Sequence, residues 1–193
     1  MSETGEPLAS AGAIVRLTKA DAGLLADHLL RLDPADRRLR FCGSVAEDSV
    51  RRHCDELDFS RASVLGVFID GALCAAAELI PFAAPRSRCF ELAITVEGPC
   101  QGLGLGTRLL GAALSLARNR FAESITLSCL TENRRMQHIA RKFGAHLAFR
   151  HGAVEGQILQ PWPNCASLAG EVAMQGQAVL RRLRTPAGQT PAK

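Results

Sequence analysis

The chain has 193 residues, of which 47% are hydrophobic and 22% charged, with a formal net charge of +4. That length makes one domain with its own core the default, and the composition is that of a globular protein. A mild positive charge suits an anionic small ligand. It does not argue for nucleic acid, which would want basic residues clustered on one face, whereas the arginines here are scattered.

Residues 1–12 are small and polar, carry Glu3 and Glu6, and lack the apolar run of a secretion signal, so a disordered tail is expected. Ala13 to Leu17 reads as a short strand. Leu24, Leu25, His28, Leu29 and Leu32 recur at helical spacing, which predicts a helix over Lys19 to Leu32. Asp33-Pro34 stops it and starts another, with aspartate as cap and proline in the first turn. A polar helix is expected from Ser44 or Val45 to Leu57. Ser63 to Ile69 and Leu73 to Ile80 flank Asp70-Gly71, a hairpin signal that makes part of the sheet antiparallel.

Cys89 to Val96 is a further strand and Gly104 to Arg118 a helix, with Leu105, Leu109, Ala112, Ala113 and Leu116 on one stripe. Ser124 to Leu130 is a strand, and Asn133 to Phe143 a helix closed by Gly144. Two weaker strands, Ala145 to Phe149 and Val154 to Leu159, surround His151-Gly152. A last helix runs from Cys165 to Arg184 within a helical extension placed at 161–185, and a second disordered tail is expected over 186–193. Alternating strands and helices with a hairpin predict an α/β (α+β) domain over 13–160 built on a mixed sheet.

Seven cysteines, an odd number with no C-x-x-C pair, argue against a zinc site or a disulfide framework; no metal is expected and a reducing cytoplasm is. No apolar stretch nears the ~20 residues that cross a bilayer, so no membrane partner is expected either.

The most informative segment is Gln101-Gly102-Leu103-Gly104-Leu105-Gly106, between a strand and a helix. Three glycines bare the backbone N–H groups just where a helix presents its positive end, a site suited to a bound phosphate. A Walker loop is excluded because no lysine lies near the turn. The G-x-G-x-x-G fingerprint fails too, since its third glycine would be Leu105 or Thr107. What remains is Gln-x-x-Gly-x-Gly at Gln101, Gly104 and Gly106, preceded by a strand ending at Val96. A plain tight connection is the other reading of the glycines.

This pattern resembles the GNAT superfamily of acetyl-CoA-dependent N-acetyltransferases, in which [Gln/Arg]-x-x-Gly-x-[Gly/Ala] opens a helix after a strand ending in valine. A second family signature, an asparagine opening a later helix that ends in glycine, matches Asn133 through Gly144. The resemblance covers about Ile14 to Leu159. It implies a mixed, largely antiparallel sheet of six or seven strands with helices on both faces, and acetyl-CoA as co-substrate.

It further implies that backbone N–H groups from Gln101, Gly102, Leu103, Gly104, Leu105, Gly106 and Thr107 hold the pyrophosphate. Arg108 or the Arg134-Arg135 pair would add charge, and Asn133 would orient the cofactor arm. The strand before the turn is expected to splay, so that Ile94, Thr95 and Val96 meet the pantetheine arm as an added strand would. The Val96 N–H would then stabilise charge on the thioester oxygen.

An amine of pKa near ~10 must lose a proton before it attacks. Glu91, on the strand with Ala93 and Thr95, is the first candidate base, and Glu78 the second; His53 and His28 are remote ones. Many family members carry a tyrosine where this chain has Ala140, and the chain has no tyrosine at all. A thiol of pKa near ~8.5 can leave as thiolate, so activity is not thereby abolished. The general acid is unassigned, with Cys129 and Ser128 as weak stand-ins. Leu32 to Phe41 looks like a segment of bacterial protein-lysine acetyltransferase catalytic domains. The acceptor expected is therefore a primary amine, on protein lysine or a small molecule, for a monomer or homodimer. The alternative is a non-catalytic acetyl-CoA-binding module.

Overall fold

In the computed structural model, residues 12–82, 88–159 and 162–184 are described, so the expected tail over 186–193 and nearly all of that over 1–12 lie outside them. Among the described residues, seven strands form one sheet: β1 (Ile14–Leu17), β2 (Ser63–Ile69), β3 (Ala72–Pro81), β4 (Cys89–Val96), β5 (Ser124–Leu130), β6 (His146–Arg150) and β7 (Ala153–Leu159). Their order is β1-β2-β3-β4-β5-β7-β6, and only β4 and β5 run parallel. Six α-helices accompany them: α1 (Ala22–Arg31), α2 (Pro34–Phe41), α3 (Glu47–Glu56), α4 (Leu105–Asn119), α5 (Arg134–Lys142) and α6 (Cys165–Arg184). The mixed, largely antiparallel α/β architecture is as expected.

Local chemistry explains most boundaries. Asp70 and Gly71 both adopt positive φ (50° and 82°), the type I′ geometry that matches strand twist in a two-residue hairpin. Asp33 accepts a bond from the Asp36 N–H at 2.8 Å and Pro34 fills the first turn of α2. Two expectations shift. The helix predicted from Lys19 begins with a 3-10 turn over Lys19–Asp21, because the Asp21 carboxylate folds back on the Thr18 N–H and hydroxyl. The helix predicted from Ser44 or Val45 starts at Glu47, where Glu47 and Asp48 favour the positive end of α3.

Strand alternation sorts the core onto two faces. Leu65, Ala77, Leu79, Phe90 and Leu92 meet α4 through Leu105, Leu109, Leu110 and Leu116. Val64 and Ala76 meet Leu25, Leu29, Val50 and Cys54 of α1 and α3 on the other face. Each fully buried leucine contributes roughly 1.5–3 kcal/mol, so the α4 row alone is a large share of the stability. Helix α4 thereby fixes the glycine turn at its own N-terminus against the centre of the sheet.

Candidate active site

Strands β4 and β5 pair only at Cys89–Ser124, Phe90–Ile125 and Glu91–Thr126, and beyond Glu91 they part. On its other side β4 stays paired with β3 as far as Val96. The direction of each freed backbone group follows from alternation. The Glu97 N–H bonds Cys74 O on β3 at 2.9 Å, so the backbone groups of Thr95 and Ala93 also turn toward β3. Those of Val96 and Ile94 then face the gap. The Val96 carbonyl agrees, accepting a bond from Gln101 Nε2 at 3.1 Å.

A cleft of about 630 Å³ occupies this gap. Its walls are β4 from Leu92 to Val96, the glycine turn, Ser128 and Cys129 of β5, the first turns of α5, and Asp36, Leu39 and Arg40 of α2. It is lined by α2 on one side of the sheet and by α4 and α5 on the other, so the opening passes through the sheet rather than lying on it.

The glycines divide their labour. Gly102 and Gly104 have φ of 79° and 74°, and a Cβ at either would meet nothing within 4 Å; they are needed for backbone conformation. A Cβ on Gly106 would stand 3.1 Å from Ile139 Cδ1, so this glycine lets α4 approach α5. The first helical bond into the turn runs from Arg108 N–H to Gly104 O, which leaves the N–H groups of Leu105, Gly106 and Thr107 at the open end of a 15-residue helix. Gln101 braces the turn: its Nε2 donates to Asp36 Oδ2 at 2.6 Å and its Oε1 accepts from Arg135. Asn133 lines the cleft while capping α5, accepting a bond from Met136 N–H at 3.0 Å. These features suit a diphosphate and an extended amide-bearing arm.

Other expected residues stand elsewhere. Leu105 lines the cleft although its side chain is buried in the core, while Leu103 is exposed and outside the cleft lining. Thr95 lines the cleft, but its hydroxyl is held by His28 Nε2 at 2.8 Å and its backbone faces β3. Arg108 reaches away from the turn to Gly12 O at 3.0 Å, whereas Arg134 and Arg135 do line the cleft. Ala140 is buried among the core residues and is not part of the lining.

The two candidate carboxylates differ sharply. Glu78 is 1% exposed; its Oε1 accepts from Arg40 at 2.7 Å and its Oε2 lies 2.6 Å from His53 Nε2. Burial alone would raise its pKa, but the Arg40 charge and the His53 bond outweigh it and hold the group down to about 2. Glu91 is exposed, on the sheet face shared by Glu78, Ala93 and Thr95, and outside the cleft lining.

His28 is fully buried. Its Nδ1 lies 3.2 Å from Leu73 O and 2.8 Å from Glu97 Oε1, two acceptors, so Nδ1 carries the proton. Burial would raise the Glu97 pKa, yet bonds from His28 and Arg31 bring it below the usual range. This network anchors both neighbours of Val96. Neither it nor the α2 wall was legible locally, since both depend on partners dozens of positions away.

No curated protein sequence matches the chain. Among solved structures, the chain is similar to the GNAT domain of S. lividans PAT, at 22% identity over 76% of this chain and 89% of that one, with a TM-score of 0.64. It is also similar to yncA from Salmonella typhimurium, solved with its cofactor acetyl-CoA (15% identity, 81% and 99% covered, TM-score 0.60). A third is the ribosomal-protein-S18-alanine N-acetyltransferase from Escherichia coli (15% identity, 79% and 96% covered, TM-score 0.61). At such identities these likenesses speak for the fold. The sequence profile of the Acetyltransferase (GNAT) family matches residues 30–145, more than half of the chain. With the parted strands and the glycine turn at their base, that match decides the matter: the chain belongs to the GNAT acetyltransferase family.

Proposed function

We propose that the chain transfers an acetyl group from acetyl-CoA to a primary amine, with Glu91 receiving the amine proton. The observation that carries this reading is the parting of β4 and β5 directly above the glycine turn. The open end of α4 and the cleft-lining Arg134 and Arg135 suit the phosphates. The gap-facing groups of Ile94 and Val96 suit the amide arm, with the Val96 N–H donating to the thioester oxygen.

The choice of base rests on elimination between two carboxylates. Both oxygens of Glu78 are engaged, and a group held near a pKa of about 2 is a weak proton acceptor. Glu91 is exposed and sits two residues, roughly 7 Å of strand, from the cleft wall at Ala93. In the proposed reaction the amine proton therefore reaches Glu91 through water. Cys129 lies in the cleft wall, but burial raises its thiol pKa and makes it a weaker acid than an ordinary thiol, so no general acid is assigned and the sulfur leaves as thiolate. The family likeness of Leu32 to Phe41, whose Asp36, Leu39 and Arg40 line the cleft, favours a lysine side chain as acceptor.

Coenzyme A release over a panel of amines and lysine peptides tests this. Glu91→Gln should lower kcat/KM about 10²–10⁴-fold while leaving acetyl-CoA affinity unchanged. Full activity in that variant removes Glu91 from the role. Acetyl-CoA binding without turnover of any amine favours the alternative, a binding module, whose support is Ala140 in a chain without tyrosine.

A further inference from the structure

Helix α6 meets the rest of the chain by one face only. Ser167 and Met174 are buried there, Glu171 pairs with Arg120 at 3.1 Å, and Arg181 pairs with Asp21. The outward side is apolar: Leu168 is 51% exposed, Val172 68%, Val179 57% and Leu183 77%. At 100° per residue these four fall within an arc of roughly 60°. The exposed positions from Cys165 to Leu180 carry no charge, since Glu171 is turned inward. A solvated helix face is normally rich in charge; charge depletion with exposed aliphatics is the composition of an interface centre.

The order of the stripe identifies its partner. Leu168 and Leu183 stand equally far from the point between Gln175 and Gly176, and so do Val172 and Val179. The stripe therefore reads the same in both directions. Two identical helices related by a two-fold axis pack antiparallel so that paired positions have a constant sum. Here Leu168 of one copy meets Leu183 of the other, Val172 meets Val179, and Gln175 and Gly176 straddle the axis. A glycine inside a helix costs about 1 kcal/mol. Among the described residues, apart from the helix's own backbone, nothing lies within 4 Å of a Cβ built on Gly176, so its small size serves no packing contact there. It permits close approach at the crossing point.

We infer that α6 is a homodimer interface, formed by antiparallel packing of this stripe on its copy in a second chain. The exposed pair Phe121 and Trp162, edge to face at 6.1 Å near the start of α6, extends the apolar surface beyond the helix. One helix pair about 30 Å long falls short of the ~800 Å² per partner of a standard stable interface, so the association is reversible.

Sedimentation velocity through the micromolar range tests this on the full chain. The wild-type mass should rise from 20.6 kDa toward twice that value with concentration. Val172→Glu/Val179→Glu should stay at the monomer mass with an unchanged circular-dichroism melt. As an independent check, Gln175→Cys should give a thiol-oxidant-dependent linked dimer beyond the native background, whereas Gln177→Cys, on the opposite side of the helix, should not. A wild type that stays monomeric, as it would if the chain's own termini cover the stripe, overturns the inference. So does a double variant that dimerises like wild type, or equal cross-linking from both cysteine variants.

Discussion

Gly104 shows how much one residue decides. Its φ of 74° lies in the left-handed region, where a Cβ brings strain although the space around it is empty. Gly104→Val should therefore cost about 1–2 kcal/mol in chemical denaturation and also weaken acetyl-CoA binding by calorimetry, because the turn must reshape. Glu78 makes the opposite case, a side chain fixed by its partners. Its pKa falls from 4.5 to about 2 on folding, so its contribution to stability is complete above pH 4.5 and is lost as pH drops toward 2. Removing the charge leaves Arg40, half-buried at the cleft wall, without its counter-ion. Glu78→Gln should then lose about 3–5 kcal/mol at pH 7 and show a flatter acid limb than wild type in urea titrations from pH 7 to pH 2.5. The pattern of residue types put Glu91 first and Glu78 second. It held no sign that one is clasped by Arg40 and His53, since those partners come from α2 and α3.

At the level of elements, β4 is paired along its whole length on one side and along less than half on the other. Its amides should report this. In hydrogen exchange, Ile94 and Val96 should exchange quickly without ligand and slow markedly with acetyl-CoA, while Thr95, turned toward β3, should change little. Equal slowing of all three would contradict the arrangement. The strands themselves were legible from sequence: Cys89–Val96 and Ser124–Leu130 follow from apolar runs between turn residues, and the Asp70-Gly71 hairpin from its dipeptide. The shape of the glycine turn was legible because closely spaced glycines before a helix mark bare backbone in the left-handed region, as Gly102 and Gly104 show. Helix α2 as a cleft wall was not, for a different reason. It buries no residue fully, and its place is fixed by Asp36 to Gln101, Arg38 to Glu132 and a Cys42 Sγ contact with Ser128 O at 4.0 Å. Such cross-links between distant segments leave no periodic trace.

Across the whole molecule, two helical layers hold a sheet whose centre is deliberately incomplete. Arg134, Arg135 and the open end of α4 stand at the turn end of the cleft, while Glu91, Thr126, Ser128 and Gln157 share a face of the sheet on which Ser128 and Gln157 are exposed. An opening that traverses the sheet has a consequence for the order of events. In the proposed reaction the nucleotide-bearing donor and the amine would enter from opposite sides of the sheet, and neither would have to depart for the other to arrive. Turnover should therefore proceed through a ternary complex. Double-reciprocal plots at several fixed donor concentrations should intersect, and protein incubated with acetyl-CoA alone should gain no mass. Parallel lines, with a stable increment of one acetyl group, would mean that a single entrance serves both molecules in turn.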